Sequence, residues 1–352
     1  MRSLCRVLCH FGAAVFMFTW FGSSVHAGGP REDIGELKIH DLLLRPTFYL
    51  KEPGQGQFSI GESSVALRWE LEQKYAGVIR IGSRTLLNPL AHYSSTVKDD
   101  VMLVEAFAEY NDVYGRARLG RIPVEFGYEG RQWERYLIFP RSLLFQKRAV
   151  MLRDVGVAYD IAQEHWYTGF AVSNGESDSD LDGRAWYTAR WGYRDDHFEI
   201  GLAGQTGSTK PVATSASADT LANVDPTLEA KWRLGGLYTH LNDKVWDFVL
   251  EFYIGELEQE RKTTKFSSGH ADLGYDFTKR FSTYLRYDFF DPRMRHDGDM
   301  ERNVSLALVL GNATRSSNLI LVGTKVFEES HQVPNDELRL IWSLSPSGVV
   351  RF

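Results

Sequence analysis

The chain has 352 residues with a formal net charge of −6, 43% hydrophobic residues, 13% aromatic residues and two cysteines. The acidic balance, with no basic run interleaved with aromatics, argues against a nucleic-acid partner. Beyond the N-terminus no apolar run is long enough for a membrane helix, so any membrane crossing has to be made by strands.

The first 27 residues have the three-part layout of a secretory signal peptide. Arg2 and Arg6 precede an apolar run from Phe11 to Phe21, and Val25-His26-Ala27 offers a small-residue cleavage site. The run is too short for a retained anchor, so 1–27 is expected to be removed and 28–352 to fold after export. Cys5 and Cys9 leave with it, and the remaining chain can form no disulfide and no Cys-ligated metal site.

The stretch from Ser64 to Arg84 sets the pattern that the rest repeats. Val65, Leu67, Trp69 and Leu71 alternate with Ala66, Arg68, Glu70 and Glu72, and after Gln73–Gly77 the alternation resumes with Ile79 and Ile81 against Arg80, Gly82 and Arg84. Side chains on a strand point to opposite faces with period two, so this is a hairpin with one apolar and one charged face. It fits either a soluble sandwich or two staves of a membrane barrel with a wet lumen.

In chain order, segments of strand character centre on 37–50, 62–72, 77–87, 101–111, 114–126, 151–161, 165–174, 184–194, 196–207, 227–241, 244–259, 266–277, 280–290, 301–311, 316–328 and 336–345. From the second segment on, the connections alternate. Gln73–Gly77, Asp112-Val113, Ala162–Glu164, Asp195, Asn242-Asp243, Thr278-Lys279 and 312–315 are short. Between them 88–100, 127–150, 175–183, 208–226 and 291–300 are long, and 260–265 and 329–335 are intermediate. Short turns on one side and long loops on the other mark an up-and-down barrel with periplasmic turns and extracellular loops, and an even strand count puts both ends on the periplasmic side.

Later hairpins repeat the two faces. Ala185, Tyr187, Ala189, Trp191 and Tyr193 would meet lipid, with Arg184, Trp186, Arg190 and Gly192 inside. Ala230, Trp232 and Leu234 oppose Glu229, Lys231 and Arg233, and Phe281, Leu285, Tyr287 and Phe289 oppose Arg280, Tyr284, Arg286 and Asp288. The alternation is imperfect at Phe107, which shares a face with Glu105 and Glu109. Charges of both signs on the inner face require a lumen that is wet or plugged, because a charge in hydrocarbon costs about 2–4 kcal/mol at the midplane.

The most specific sequence lies at 115–157. A strand closes as Gly115-Arg116-Ala117-Arg118-Leu119-Gly120-Arg121-Ile122-Pro123-Val124-Glu125-Phe126-Gly127, a long loop carries Phe139-Pro140-Arg141-Ser142-Leu143-Leu144, and the next strand opens as Arg153-Asp154-Val155-Gly156-Val157. This resembles the phosphate-selective porin O and P family, with Asn174-Gly175 and Arg286–Pro292 similar to its later landmarks. The resemblance implies a trimeric sixteen-stranded porin whose third long loop, here 127–150, folds inward as a constriction. That loop holds Arg131, Arg135, Arg141, Lys147 and Arg148 against Glu129 and Glu134. A basic constriction would focus anions; alternatively the charges pair with lumen carboxylates such as Glu70, Glu105 and Glu109 and pin the loop. The chain departs from the family at Pro123, where the family has Lys, and at Glu125, where it has Pro. Both changes weaken the case for phosphate.

Other candidates are less distinctive. Asp178-x-Asp180-x-Asp182-Gly183 imitates the opening of a calcium loop, but the twelfth position is Ala189 instead of the required Glu, so it reads as a solvated loop. The ten His show no metal spacing, and His92, His270 and His331 are placed in loops or at strand ends. No Gly-x-Ser-x-Gly elbow exists, although a triad is built in space. Near the C-terminus Pro346 interrupts the last strand, which either stops near Ser345 or bends and runs to Phe352.

The resulting expectation is an all-β transmembrane up-and-down barrel of about sixteen antiparallel strands in a Gram-negative outer membrane. It would work without cofactor, metal or catalytic residues as a passive porin for small hydrophilic solutes or ions, leaning to anions or phosphate. Its partners would be outer-membrane lipid, the solutes and, as a homotrimer, its own copies. The alternatives are a barrel hydrolase and a plugged adhesin or structural barrel. The pore-lining set is Arg68, Glu70, Arg80, Arg116, Arg118, Arg190, Lys231, Arg233 and Arg286.

Overall fold

The computed structural model describes residues 36–51, 55–71, 74–87, 89, 99–175, 184–209, 228–260, 262–294, 296, 298–311, 316–328, 336–345 and 350–351. Residues 1–27, expected to be a signal peptide, the Asp178–Asp182 loop, His92, His331, Pro346 and Phe352 lie outside them. Among the described residues nineteen strand segments form one sheet. They are β1 (Glu36–Leu43), β2 (Thr47–Lys51), β3 (Gln55–Ser59), β4 (Ser64–Leu71), β5 (Tyr75–Ser83), β6 (Val101–Asn111), β7 (Gly115–Pro123), β8 (Arg153–Gln163), β9 (Trp166–Ser173) and β10 (Trp186–Arg194). The series continues with β11 (Phe198–Thr209), β12 (Ala230–Asn242), β13 (Trp246–Gln259), β14 (Lys262–Thr278), β15 (Phe281–Asp291), β16 (Glu301–Gly311), β17 (Ser317–Glu328), β18 (Glu337–Leu344) and β19 (Val350–Arg351).

Each segment pairs antiparallel with its neighbours, and the sheet closes on itself. β2 pairs with β18 from Thr47↔Ile341 to Lys51↔Glu337, and β1 pairs with β19 at Lys38↔Arg351 and Ile39↔Val350. Three staves are interrupted. β1 and β2 form one stave broken at Arg45-Pro46, where proline has no N–H to give the ladder; β3 and β4 form its partner, broken at 60–63; β19 resumes β18. Counted as continuous staves the barrel has sixteen. The last stave therefore rejoins the sheet beyond Pro346 and does not stop at Ser345.

The connections between β4 and β5, β6 and β7, β8 and β9, β10 and β11, β12 and β13, and β14 and β15 are tight turns, all at one end. At the other end 84–100, 124–152, 174–185 and 210–229 are long. The segment 260–265 departs from expectation. The strands run to Gln259 and restart at Lys262, so β13 and β14 form a tall hairpin where an intermediate loop was read.

The outer wall is an apolar belt that includes Leu119, Trp191, Leu202, Leu285, Leu306 and Leu321, all exposed. Toward the tight turns it carries aromatic pairs, Tyr75–Tyr110 at 5.2 Å, Trp166–Trp191 at 5.0 Å and Trp246–Tyr275 at 4.6 Å between ring centroids, the arrangement of an interfacial girdle. Substituting Leu306 by Arg, in the middle of β16, should lower the barrel's stability by about 2–4 kcal/mol. The urea midpoint of refolding into vesicles measures this, and an unshifted midpoint would place Leu306 outside the hydrocarbon.

The inner face carries the charges and an unusual filling. Residues 124–152 turn into the barrel, with the base of the loop closed by Val124 N donating to Leu152 O at 2.9 Å. Phe126, Leu143, Leu144 and Phe145 are buried against Trp186, Trp232, Tyr238, Tyr253 and Phe266 of the β10–β14 wall. Phe139 packs separately on Tyr284, Val309, Ile320, Val322 and Ile341 of the β15–β18 wall. The loop enters at Gly127, whose φ of +68° suits glycine and where a Cβ would come 2.1 Å from the Tyr253 hydroxyl.

Candidate functional site

The barrel's waist is a charged ring around this loop. On the β1–β8 side, Arg80 donates to Glu105 at 3.2 Å and Asp41 at 3.1 Å, and Arg153 donates to Glu105 at 3.1 Å and to Glu134 at 2.6 Å. Arg45, at the proline break, donates to the backbone oxygens of Glu134 at 2.5 Å and Leu137 at 3.0 Å. On the far wall Arg286 holds Asp272 through two bonds of 2.6 Å and Glu129 at 3.1 Å. The loop thus spans the lumen and is fastened at both sides.

The loop's own cations fasten it as well. Arg131 pairs with Glu199, Arg135 with Asp41, Arg141 with Glu134 and Lys147 with Glu301. Arg148 is buried at the end of the helical turn Leu143–Gln146, with φ +58°. Of the carboxylates named as pinning partners, Glu105 meets Arg80 and Arg153, while Glu70 and Glu109 meet Arg68 at 2.6 and 2.7 Å. The carboxylates that hold the loop's own cations are Asp41, Glu199, Glu134 and Glu301 instead.

Below the loop, toward the tight turns, lies a chamber of about 610 Å³ lined by nine arginines and seven carboxylates. Its centre is a cluster of three guanidiniums on two carboxylates. Arg118 reaches Glu125 at 2.8 Å and Asp160 at 2.6 Å; Arg190 reaches Asp160 at 2.8 Å and also Glu125; the half-exposed Arg116 reaches both at 3.2 and 3.4 Å. Beside it Arg131, Arg190 and Arg194 sit over the Tyr167 ring at 5.1, 5.7 and 5.8 Å. Arg194 has no carboxylate partner among the described residues. This wall therefore keeps a positive surplus, which Glu125 and Asp160 reduce.

Of the expected pore-lining residues, Arg68, Glu70, Arg80, Arg116, Arg118, Arg190 and Arg286 face the interior. Lys231 and Arg233 do not. They are exposed on the outer face of β12, opposite Glu258 and Glu256 in register, while Trp232 and Leu234 turn inward under the loop. Lys231 pairs with Glu258 at 3.6 Å and Lys265 with Glu256 at 3.1 Å, so the tall β12–β14 end rises above the apolar belt, where an outward charge meets water. His270 is also corrected, since it lies mid-strand on β14, buried beneath the loop. Asp41, Arg45, Asp160, Tyr167 and Arg194 were missed. Asp41 and Arg45 take partners from the inward loop, and Asp160, Tyr167 and Arg194 from neighbouring staves of one wall, pairings that strand periodicity does not record; the one signal in the sequence was an arginine at the Arg45-Pro46 strand break.

Burial by itself would raise the Glu129 carboxyl, but Arg286, His270 and Arg141 outweigh it and hold it at about 2. Burial likewise opposes ionised Glu134, and Arg153, Arg141 and Arg80 hold it well below the usual carboxylate range. A depressed folded pKa stabilises above the unfolded value, about 4.3, and that contribution is lost as pH falls through the folded value. Single-channel conductance is accordingly expected to show a step between about pH 4 and 2 as these two carboxylates are protonated. No step in that window would show that they do not set the loop's position.

No family model matches the sequence, and no curated protein is similar to it in sequence. Solved structures do share the fold. A loop-L8 deletion form of OmpT, an outer membrane protein of Vibrio cholerae, superposes with a TM-score of 0.67 at 10% identity, covering 89% of this chain and 100% of that one. The outer membrane channel DcaP of Acinetobacter baumannii gives 0.63 at 9% identity over 91% and 100%. The anion-selective porin from Comamonas acidovorans gives 0.62 at 12% identity over 88% and 98%. The fold is that of an outer-membrane β-barrel of the porin type.

Proposed function

We propose that the chain is a passive diffusion channel of a Gram-negative outer membrane for small hydrophilic solutes, leaning to anions. The observation that carries this reading is the charged chamber at the waist of a closed barrel, where three arginines share two carboxylates and Arg194 stands beside them with no carboxylate partner among the described residues. Selectivity then follows from fixed charge at a narrow passage, with no bond made or broken. The anion-selective porin and the channel among the structural neighbours support the same class. Specialisation for phosphate rests on the 115–157 motif alone, and Glu125 works against it by neutralising Arg116, Arg118 and Arg190.

We further propose that 1–27 is cleaved on export and that the barrel assembles as a homotrimer, a form recorded for one neighbour; crosslinking of the purified protein tests the latter. The channel reading is tested by reversal potential in planar bilayers under a potassium chloride gradient. Anion preference is expected, and the Arg116→Gln/Arg118→Gln double variant should lower it several-fold, on the order of 1 kcal/mol of field. Unchanged selectivity in the variant would take both residues out of the ion path, and absence of current would remove the channel reading.

A further inference from the structure

The inward loop leaves a second, smaller chamber on the tight-turn side, about 310 Å³, against the inner faces of β12–β15. Gln132 and Tyr136 line both chambers, but their chemistry differs. The small chamber's carboxylates are Glu129, Asp247 and Asp272, against Arg286. That arginine is already saturated by Asp272 and Glu129. Asp247 is the accessible one, with its side chain 32% exposed and an imidazole partner, His240 Nε2, at 2.7 Å. Directly behind, Glu251, His270 and Asp288 stand side by side in register across β13, β14 and β15.

Two further features point to a ligand. His270 is 4% exposed, lines the chamber, and its Nε2 has no hydrogen-bond partner among the described residues. The remaining walls include the rings of Tyr128, Tyr136, Phe139 and Tyr284, with Tyr128 tilted against His240 at 4.4 Å between ring centroids. Carboxylates outnumber the one arginine, ring faces attract a cation, and the unpartnered nitrogen leaves a hydrogen-bonding position open.

We propose that this chamber binds the ammonium group of a small organic cation carried on a flat apolar body. Asp247 accepts from the ammonium, the Tyr128 and Tyr136 rings cover the apolar part, and His270 Nε2 offers a hydrogen-bonding atom at the back. The proposal rests on the solute-channel reading in that the cation arrives through the lumen. It gives the passage a cation-binding chamber beside the arginine-rich one.

The test uses the purified full-length protein and tyramine as probe, with 4-ethylphenol and 4-hydroxyphenylacetate as uncharged and anionic counterparts. Calorimetry in detergent should show tyramine binding at least about tenfold tighter than either. The Asp247→Asn variant should lose that preference and Asp247→Glu recover it. Should Asp247→Asn fail to assemble, Tyr136→Ala is expected to weaken tyramine binding in the same assay. Equal binding of tyramine and 4-ethylphenol, or an unaltered preference in both Asp247→Asn and Tyr136→Ala, overturns the proposal. Tyramine binding in a protein that passes no current upholds the chamber and removes the channel, while a conducting protein indifferent to tyramine does the reverse.

Discussion

Replacing Glu134 by alanine is expected to unseat the inward loop while the barrel stays assembled. Its side chain is 3% exposed and accepts from Arg153 at 2.6 Å and Arg141 at 3.2 Å, with Arg80 at 4.0 Å. Removing the carboxylate leaves these guanidiniums buried with too little negative charge, and breaking a buried pair on one side costs about 3–5 kcal/mol. Arg80 and Arg153 keep Glu105, so the β5–β8 wall retains a partner and the loss falls on the loop. Single-channel conductance should rise and become noisier, and trypsin should cut at Arg135 or Arg141. A variant with wild-type conductance that resists trypsin would show that the loop is held elsewhere.

The Phe145→Ala variant is expected to weaken the same loop through packing. Phe145 is 1% exposed in the cluster that Phe126, Leu143 and Leu144 make with the β10–β14 wall, and the Arg141 guanidinium lies 5.7 Å from its ring centre. Truncating a buried phenylalanine costs about 3–5 kcal/mol in transfer and cavity terms. The loop's other anchorage, Phe139 on the β15–β18 wall, belongs to a separate cluster, so Phe139→Ala should add to it with little coupling. Acquired trypsin sensitivity with an unchanged thermal transition of the barrel is the expected pattern. A lowered barrel transition with the loop still protected would mean that Phe145 supports the wall and not the loop.

The architecture was legible because a strand's two faces are written in adjacent residues. Tyr187 and Trp191 read as outward and are exposed, and Trp186 and Arg190 read as inward and face the lumen. The same rule reversed at Lys231 and Arg233. Charge marks the wet side of a stave only within the hydrocarbon, and nothing local says that β12 and β13 rise above it. His270 was misplaced for a related reason: an imidazole mid-strand is tolerated only where a loop covers it, and that loop comes more than a hundred residues earlier in the chain.

By itself, then, the sequence determined the strand periodicity, the alternation of turns and loops and hence an up-and-down barrel, since these depend on the local order of residues. Only the tertiary structure decided what the charges do. Asp41 meets Arg135, Glu199 meets Arg131, and Glu125 gathers Arg116, Arg118 and Arg190, pairings set by the closure of the sheet and the fold of 124–152 across it. A guanidinium next to a carboxylate in space is a fixed pin, and one without a carboxylate partner among the described residues, such as Arg194, keeps its charge uncompensated. That distinction is a matter of distance across the lumen, which residue order does not record.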